Sequence, residues 1–76
     1  MLVLNRITFD PNIMGGQACV RGMRIPVSLV LNLVANGMTF NRITDEYPDL
    51  QEDDIKECLQ YAALLAREET HNFAGT

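Results

Sequence analysis

The chain is poor in the residues that build disulfide frameworks, metal sites and membrane anchors. Its two cysteines, Cys19 and Cys58, lie far apart and neither belongs to a Cys-x-x-Cys motif, so we expect two buried, reduced thiols. No apolar run reaches the ~18 residues of a membrane-spanning helix, and no basic segment precedes a signal-like apolar core. We therefore expect a cytoplasmic protein that does not bind a membrane.

Basic residues are scarce as well. Six lysines and arginines oppose ten aspartates and glutamates, which gives a net charge of −4. Residues 1–38 carry a charge of +2 and residues 39–76 a charge of −6. A protein that binds duplex DNA usually presents a basic face, because neutralising phosphates supplies most of its affinity. Only the N-terminal part of this chain can present such a face.

Signatures of catalysis are missing from the sequence. It contains no P-loop, nucleophile elbow or zinc motif, and its acidic residues lack the spacing of an EF-hand loop. The carboxylates between Asp45 and Glu57 fit a solvated acidic face better than a metal cluster. We predict that the protein is not an enzyme, has no catalytic residues and holds neither a metal nor a cofactor.

The length and composition indicate one globular domain. Hydrophobic residues make up 47% of the 76 residues, so the chain can build a core. A chain of this size buries only roughly 60% of its unfolded surface, and self-association is a common remedy. We place the domain at residues 1–69 and expect a flexible polar tail at residues 70–76.

The N-terminal third reads as a small β element. Residues 2–9 mix β-branched and aromatic side chains and end at the turn signal Asp10-Pro11. Residues 18–25 read as a second strand or hairpin arm, with a bend at Gly22.

Three helices are predicted to follow, over residues 26–36, 39–46 and 51–68. Pro26 suits the first turn of the first helix, and Gly37 suits its left-handed C-cap. An apolar stripe at helical spacing marks the third helix; its members are Ile55, Cys58, Leu59, Ala62, Leu65 and Ala66. The fold class is therefore mainly α, with a helix-turn-helix-like trihelical core and an N-terminal β-hairpin or ribbon.

Two arginines flank a glycine in the segment Arg21–Val27, which we call the arginine ribbon. Arg21, Gly22 and Arg24 are candidates for binding phosphates or the acidic groups of a partner, because guanidinium groups suit bidentate recognition. A structural role is equally open, since either arginine could pair with an acid such as Asp10 or cap the carbonyls of a helix.

The third helix is a poor candidate for reading DNA, because it begins with three acidic residues that phosphates repel. Thr39, Asn41 and Arg42, at the start of the second helix, are the DNA-contact candidates. Capping alone would explain Thr39.

Three apolar residues widen the surface of the third helix beyond one stripe: Tyr61, Leu64 and Leu65. We expect them to form a face for a homodimer or a partner protein. The alternative is a core packed against the β element and the first helix.

Several segments carry a family resemblance. They are Ile7-Thr8-Phe9-Asp10-Pro11, Gly16, Arg21-Gly22-Met23-Arg24-Ile25-Pro26-Val27, Asn36-Gly37-Met38-Thr39, Ile43, Tyr47-Pro48-Asp49-Leu50 and Asp54-Ile55. Over residues 6–66 the chain resembles domain-of-unknown-function family 433, and the pattern Arg-Gly-x-Arg-Ile-Pro-Val is the most specific part of the match. Four positions depart from the family pattern. Gln17-Ala18 stands where relatives often have Lys-Pro, Met23 replaces a frequent Thr, and Gln51 stands where a Thr N-cap is usual.

The resemblance implies a winged or β-extended helix-turn-helix domain of the VapB antitoxin type. Such a domain would bind and neutralise a PIN-like nuclease toxin, which is our leading hypothesis. The second hypothesis is a DNA-binding repressor of its own operon, with operator DNA as the partner. The third is a free-standing dimeric interaction domain with no toxin.

Overall fold

Two short antiparallel strands open the fold. A computed structural model describes the backbone of residues 4–74 and the side chains of residues 4–67. Strand β1 is Ile7–Phe9 and strand β2 is Ala18–Val20, with Ile7 opposite Val20 and Phe9 opposite Ala18. Both strands are shorter than predicted. Strand β2 ends early because the chain turns back after Val20, whose N–H then bonds to the carbonyl of Ile25 at 3.0 Å.

The arginine ribbon begins with a tight turn. Arg21 has φ = 46° and Gly22 has φ = 71°, and the N–H of Met23 donates to the carbonyl of Val20 at 2.8 Å. Two successive positive φ values closed by this bond are typical of a type I′ turn, which glycine adopts without strain. Arg21 is held in this rare conformation because its N–H donates to the carbonyl of Arg6 at 2.7 Å.

Helix α1 spans Val27–Ala35, so Pro26 is its N-cap residue rather than part of its first turn. The helix ends in a Schellman motif, as Gly37 predicted. Gly37 has φ = 88° and donates to the carbonyl of Val34 at 3.0 Å, while Met38 donates to that of Leu33 at 3.1 Å.

Helix α2 spans Phe40–Glu46 and begins at the predicted cap. The hydroxyl of Thr39 accepts the N–H of Arg42 at 3.2 Å. The helix ends at Glu46 with Tyr47 as its C-cap, because Tyr47 precedes Pro48 and a residue before proline is disfavoured in helical geometry.

Helix α3 spans Glu52–Ala74, beyond the predicted end at residue 68. No glycine or proline interrupts the segment before Gly75, so nothing in its backbone chemistry stops the helix earlier. At 1.5 Å per residue the helix is about 35 Å long. The flexible tail expected at residues 70–76 stays a prediction, and its side chains lie outside the described residues.

The core lies where α1 and α2 both pack against α3 and where β2 contacts α1. Its buried members are Ile7, Val20, Val27, Val30, Ile43, Leu50, Ile55 and Cys58. The predicted architecture of three helices with a small antiparallel N-terminal β element is confirmed. Within residues 4–74, no helix combines the length and apolarity needed to cross a membrane.

The cap of α2 provides a test of the fold. Replacing Thr39 by alanine leaves the first N–H groups of the helix without this acceptor, so we expect the free energy of unfolding to fall by about 1 kcal/mol. Urea denaturation measures the change. Thr44→Ala is the matched control, because the Thr44 hydroxyl donates to the carbonyl of Asn41 inside the helix. This control should be neutral or slightly stabilising, and an equal loss in both variants would contradict the capping role.

Candidate functional site

One aspartate in the first turn of α3 is completely buried. The side chain of Asp54 has no solvent-exposed surface, yet it carries a formal charge. Burying a carboxylate is costly unless partners replace its water. Asp54 therefore requires partners that replace the hydrogen bonds of water.

Two arginines from the N-terminal hairpin supply those partners. Arg6 Nη1 donates to Asp54 Oδ1 at 2.9 Å. Arg21 donates to the same oxygen from Nε at 3.0 Å and to Asp54 Oδ2 from Nη2, also at 3.0 Å. Arg21 thus holds the carboxylate in a bidentate fork, and Arg6 approaches as a second cation.

The start of α3 completes this network. Asp54 Oδ2 accepts the N–H of Gln51 at 2.8 Å, which is one half of a capping box. The other half is absent, because the Gln51 side chain instead accepts from Arg6 Nη1 at 2.9 Å. Arg21 Nη2 also donates to the carbonyl of Asp49, and Glu57 accepts the N–H of Arg6, both at 2.6 Å.

These contacts determine the ionisation of Asp54. Burial acts to raise the pKa of this carboxyl, but the hydrogen bonds from Arg21, from the Gln51 N–H and from Arg6 outweigh it and hold the pKa below its ordinary value. The hydrogen bond with Asp54 raises the pKa of Arg21 above its usual value. A carboxylate that stays ionised and has both oxygens occupied is unsuited to accepting a proton. We conclude that Asp54 has a structural role: it joins the N-terminal hairpin to α3.

The structure separates the two arginines of the ribbon. Arg21 points inward to Asp54, which agrees with the internal-pairing alternative but replaces Asp10 as the partner; Asp10 instead accepts the N–H of Asn12 at 2.9 Å. Gly22 adopts the positive φ that the turn requires, and its N–H donates to Thr8 Oγ1 at 2.8 Å. Arg24 is exposed and forms no ion pair with any side chain of residues 4–67.

Sequence reasoning did not single out Arg6 or Asp54 as a pair. Their positions are 48 residues apart, and neither lies in a motif that names its partner. A signal existed for Asp54 alone: an acid three residues after the residue that precedes a helix is typical of a capping box.

The DNA-contact candidates lie at the start of α2. Thr39 caps the helix, as described above. Asn41 and Arg42 are exposed, and Arg42 Nε lies 3.8 Å from Glu46 Oε2. The first turn of α2 therefore presents one amide and one partly paired cation to solvent.

The predicted apolar face borders a groove between α1, α3 and β2, with a volume of about 430 Å³. We call it the apolar groove; its lining is Gln17, Ala18, Val27, Ser28, Leu31, Tyr61 and Leu65. The ring of Phe9 lies 6.1 Å from that of Tyr61 and is 60% exposed. Leu64 is 37% and Leu65 47% exposed, whereas Tyr61 is half-buried against the core. Tyr61 thus packs in part against the core, as the alternative had it, and the role of these residues as a dimer or partner face stays a prediction.

Both cysteines are buried and free, as expected from their spacing. Burial, and next the negative charges of Asp54 and Glu57, raise the pKa of Cys58 to about 11. Cys58 is therefore an unreactive thiol. No group of three or more metal-ligating side chains comes together in the part of the chain that the structure describes.

The fold and the buried network define a small three-helix domain whose N-terminal hairpin is tied to its last helix. The chain matches the family described as Protein of unknown function (DUF433) over residues 7–62. The protein belongs to this family.

Two relatives show how far the similarity extends. The chain is 38% identical over 56 residues to Uncharacterized protein y4eO of Sinorhizobium fredii, a match that covers 74% of this chain and 25% of that protein. It therefore spans a quarter of this curated relative. A crystal structure of a DUF433 member from Anabaena variabilis matches with a TM-score of 0.75 and 27% identity, covering 92% of this chain and 69% of that one.

The network predicts a specific response to pH. Asp54→Asn removes the charge between two arginines, and we expect it to lower the free energy of unfolding at neutral pH by roughly 3 kcal/mol, the low end for a broken buried pair because both arginines are partly exposed. The folded-state pKa of Asp54 lies below its unfolded value. The wild type should therefore keep this stabilisation above about pH 4 and lose it as the pH falls through the folded-state pKa.

Urea denaturation across this pH range measures both effects. In Asp54→Asn this contribution is absent, so the acid-dependent loss should be smaller than in the wild type. Asp53→Asn is the control, because Asp53 is 68% exposed and lies 3.8 Å from Arg6. It should cost less than about 1 kcal/mol. Equal effects of the two substitutions would contradict a dominant role for Asp54.

Proposed function

We propose that this domain is a protein-binding module that neutralises a PIN-like nuclease toxin, in the manner of a VapB-type antitoxin. The observation that supports this most is the apolar groove. The exposed Arg24 lies three positions before Val27, which is part of the groove lining. The family resemblance supplies the class of partner. The groove and the arginine supply a surface with the chemistry to bind it.

The groove favours a protein partner because its lining carries no formally charged side chain. Leu65 in the lining is exposed, and so are Leu64 and Phe9, whose ring lies against that of Tyr61. Apolar surface of this kind, bordered by polar residues, is typical of a site that accepts an apolar helix or loop from another protein.

Arg24 adds a charged contact. It lies three positions before Val27, which lines the groove, so the Cα atoms of the two residues are at most about 11 Å apart. A nuclease whose metal is held by carboxylates presents a cluster of acidic groups, and a guanidinium group recognises such groups in bidentate geometry. Arg21 is unsuited to this role because Asp54 already engages it.

Binding to operator DNA is the second candidate function. Arg24, Asn41 and Arg42 are exposed and could contact phosphates. The argument for DNA is weaker for two reasons. Arg6 and Arg21 are already paired with Asp54, and the first turn of α3 remains acidic. A repressor would bind its own upstream DNA with an affinity that falls steeply as salt rises. An electrophoretic mobility shift titration at two salt concentrations tests this, and absence of a shift both with and without the toxin would reject it.

The leading proposal is tested with the nuclease encoded beside this gene. The purified nuclease is titrated with the wild-type domain, and both complex formation and residual ribonuclease activity are recorded. Arg24→Ala should weaken binding at least about tenfold, because truncating one member of a desolvated charge pair leaves the other unpaired.

Arg42→Ala is the matched control, since it removes an exposed arginine from α2, away from the groove lining. It should leave inhibition of the nuclease unchanged. Circular dichroism verifies that both variants are folded. The proposal fails if the adjoining reading frame encodes no nuclease that binds the wild-type domain, or if Arg24→Ala and Arg42→Ala bind equally well.

A further inference from the structure

We infer that Arg21 is a positioning residue for Arg24. Its ion pair with the buried Asp54 holds the turn that carries Arg24, so the exposed guanidinium group is presented from a fixed backbone. This role deepens the proposed function and rests on it, because the proposed function is what assigns Arg24 to the partner. The two arginines of the ribbon thus divide the work: one anchors the turn and the other contacts the partner.

The backbone on both sides of Arg24 is tied to one buried residue. The N–H of Met23 donates to the carbonyl of Val20 at 2.8 Å, and the N–H of Val20 donates to the carbonyl of Ile25 at 3.0 Å. Val20 is 1% exposed and belongs to the core. Both chain neighbours of Arg24 are therefore hydrogen-bonded to a fixed point of the fold.

The turn needs an anchor, because its first central residue is not glycine. Arg21 has φ = 46°, a region that residues other than glycine adopt uncommonly and that persists where surrounding contacts enforce it. Its guanidinium group supplies such contacts, since it forks onto Asp54 and donates to the carbonyl of Asp49 at 2.6 Å. The Asp54 side chain has no exposed surface, so the anchor point is part of the interior of the fold.

Arg6 pairs with the same carboxylate without anchoring the turn through its side chain. Its Nη1 contacts Asp54 and the side chain of Gln51. It is joined to the turn through its backbone carbonyl, which accepts the N–H of Arg21 at 2.7 Å. Substituting the Arg6 side chain removes one cation from Asp54 and leaves this backbone bond in place. Arg6 and Arg21 are therefore matched test positions.

An anchored turn favours binding, because ordering a loop at an interface opposes association. A mobile ribbon would have to be ordered at the moment when Arg24 engages the partner. The pair of Arg21 and Asp54 removes this cost beforehand, and so affects affinity without touching the partner.

NMR relaxation of the backbone amides tests the anchor without any partner. In the wild type we expect the order parameter of the Arg24 amide to be about 0.85, as in rigid backbone, and in Arg21→Gln to fall below about 0.6. Arg6→Gln is the matched control and should keep the wild-type value. A mobile Arg24 in the wild type, or equal order at Arg24 in the two variants, would overturn the inference. If Arg21→Gln does not fold, Arg21→Lys replaces it, because lysine keeps a cation beside Asp54 but cannot form the fork.

Titration of the adjoining nuclease tests the consequence for binding. Arg21→Gln should weaken the complex by about fivefold, and Arg6→Gln should leave it unchanged. Because Arg21 acts through Arg24, the double variant Arg21→Gln/Arg24→Ala should bind no more weakly than Arg24→Ala alone. An equal loss from Arg21→Gln in both backgrounds would indicate general loss of structure and contradict the positioning role. If no nuclease binds the wild type, the proposed function fails, while the relaxation measurements still decide whether Arg21 holds Arg24 in place.

Discussion

The structure depends on keeping one buried carboxylate charged. Asp54 lies in the first turn of α3, and its cationic partners come from residues 33 and 48 positions earlier in the chain. A buried charge is tolerated only when its partners arrive with correct geometry, so the hairpin has to sit where Arg6 and Arg21 reach it. Arg21 lies at the first central position of the type I′ turn, and its side chain reaches Asp54 from there. The network therefore specifies how the β element packs as well as contributing stability.

This constraint also shapes the surface. Two of the three arginines in the N-terminal half are committed to Asp54, which leaves Arg24 as the exposed cation of the ribbon. The basic face that the charge distribution allowed is thus reduced to little more than one guanidinium group. What the surface offers instead is apolar: the groove and the leucines beside it. For this reason our proposal favours a protein partner over nucleic acid.

Helix α3 shows how one sequence pattern can serve two purposes. Its apolar stripe predicts a buried face along the whole helix, and Ile55 and Cys58 are indeed fully buried. Further along the same stripe, Leu65 is nearly half exposed, because α1 covers only part of the length of α3. Periodicity identifies the apolar face but carries no information on where the neighbouring elements end. The sequence could therefore propose Tyr61, Leu64 and Leu65 as a contact face, while the groove beside them became visible only in the fold.

The sequence by itself determined the local features of this protein. The Thr39 cap, the Gly37 Schellman motif and the positions of α1 and α2 each depend on residues within a few positions of one another. Tertiary structure alone decided which acid meets Arg21 and which arginine stays free. That choice depends on the distances between groups far apart in the chain, and any of ten carboxylates was available by charge. Among the acids whose side chains the structure describes, only Asp54 is buried with two arginines in place of water.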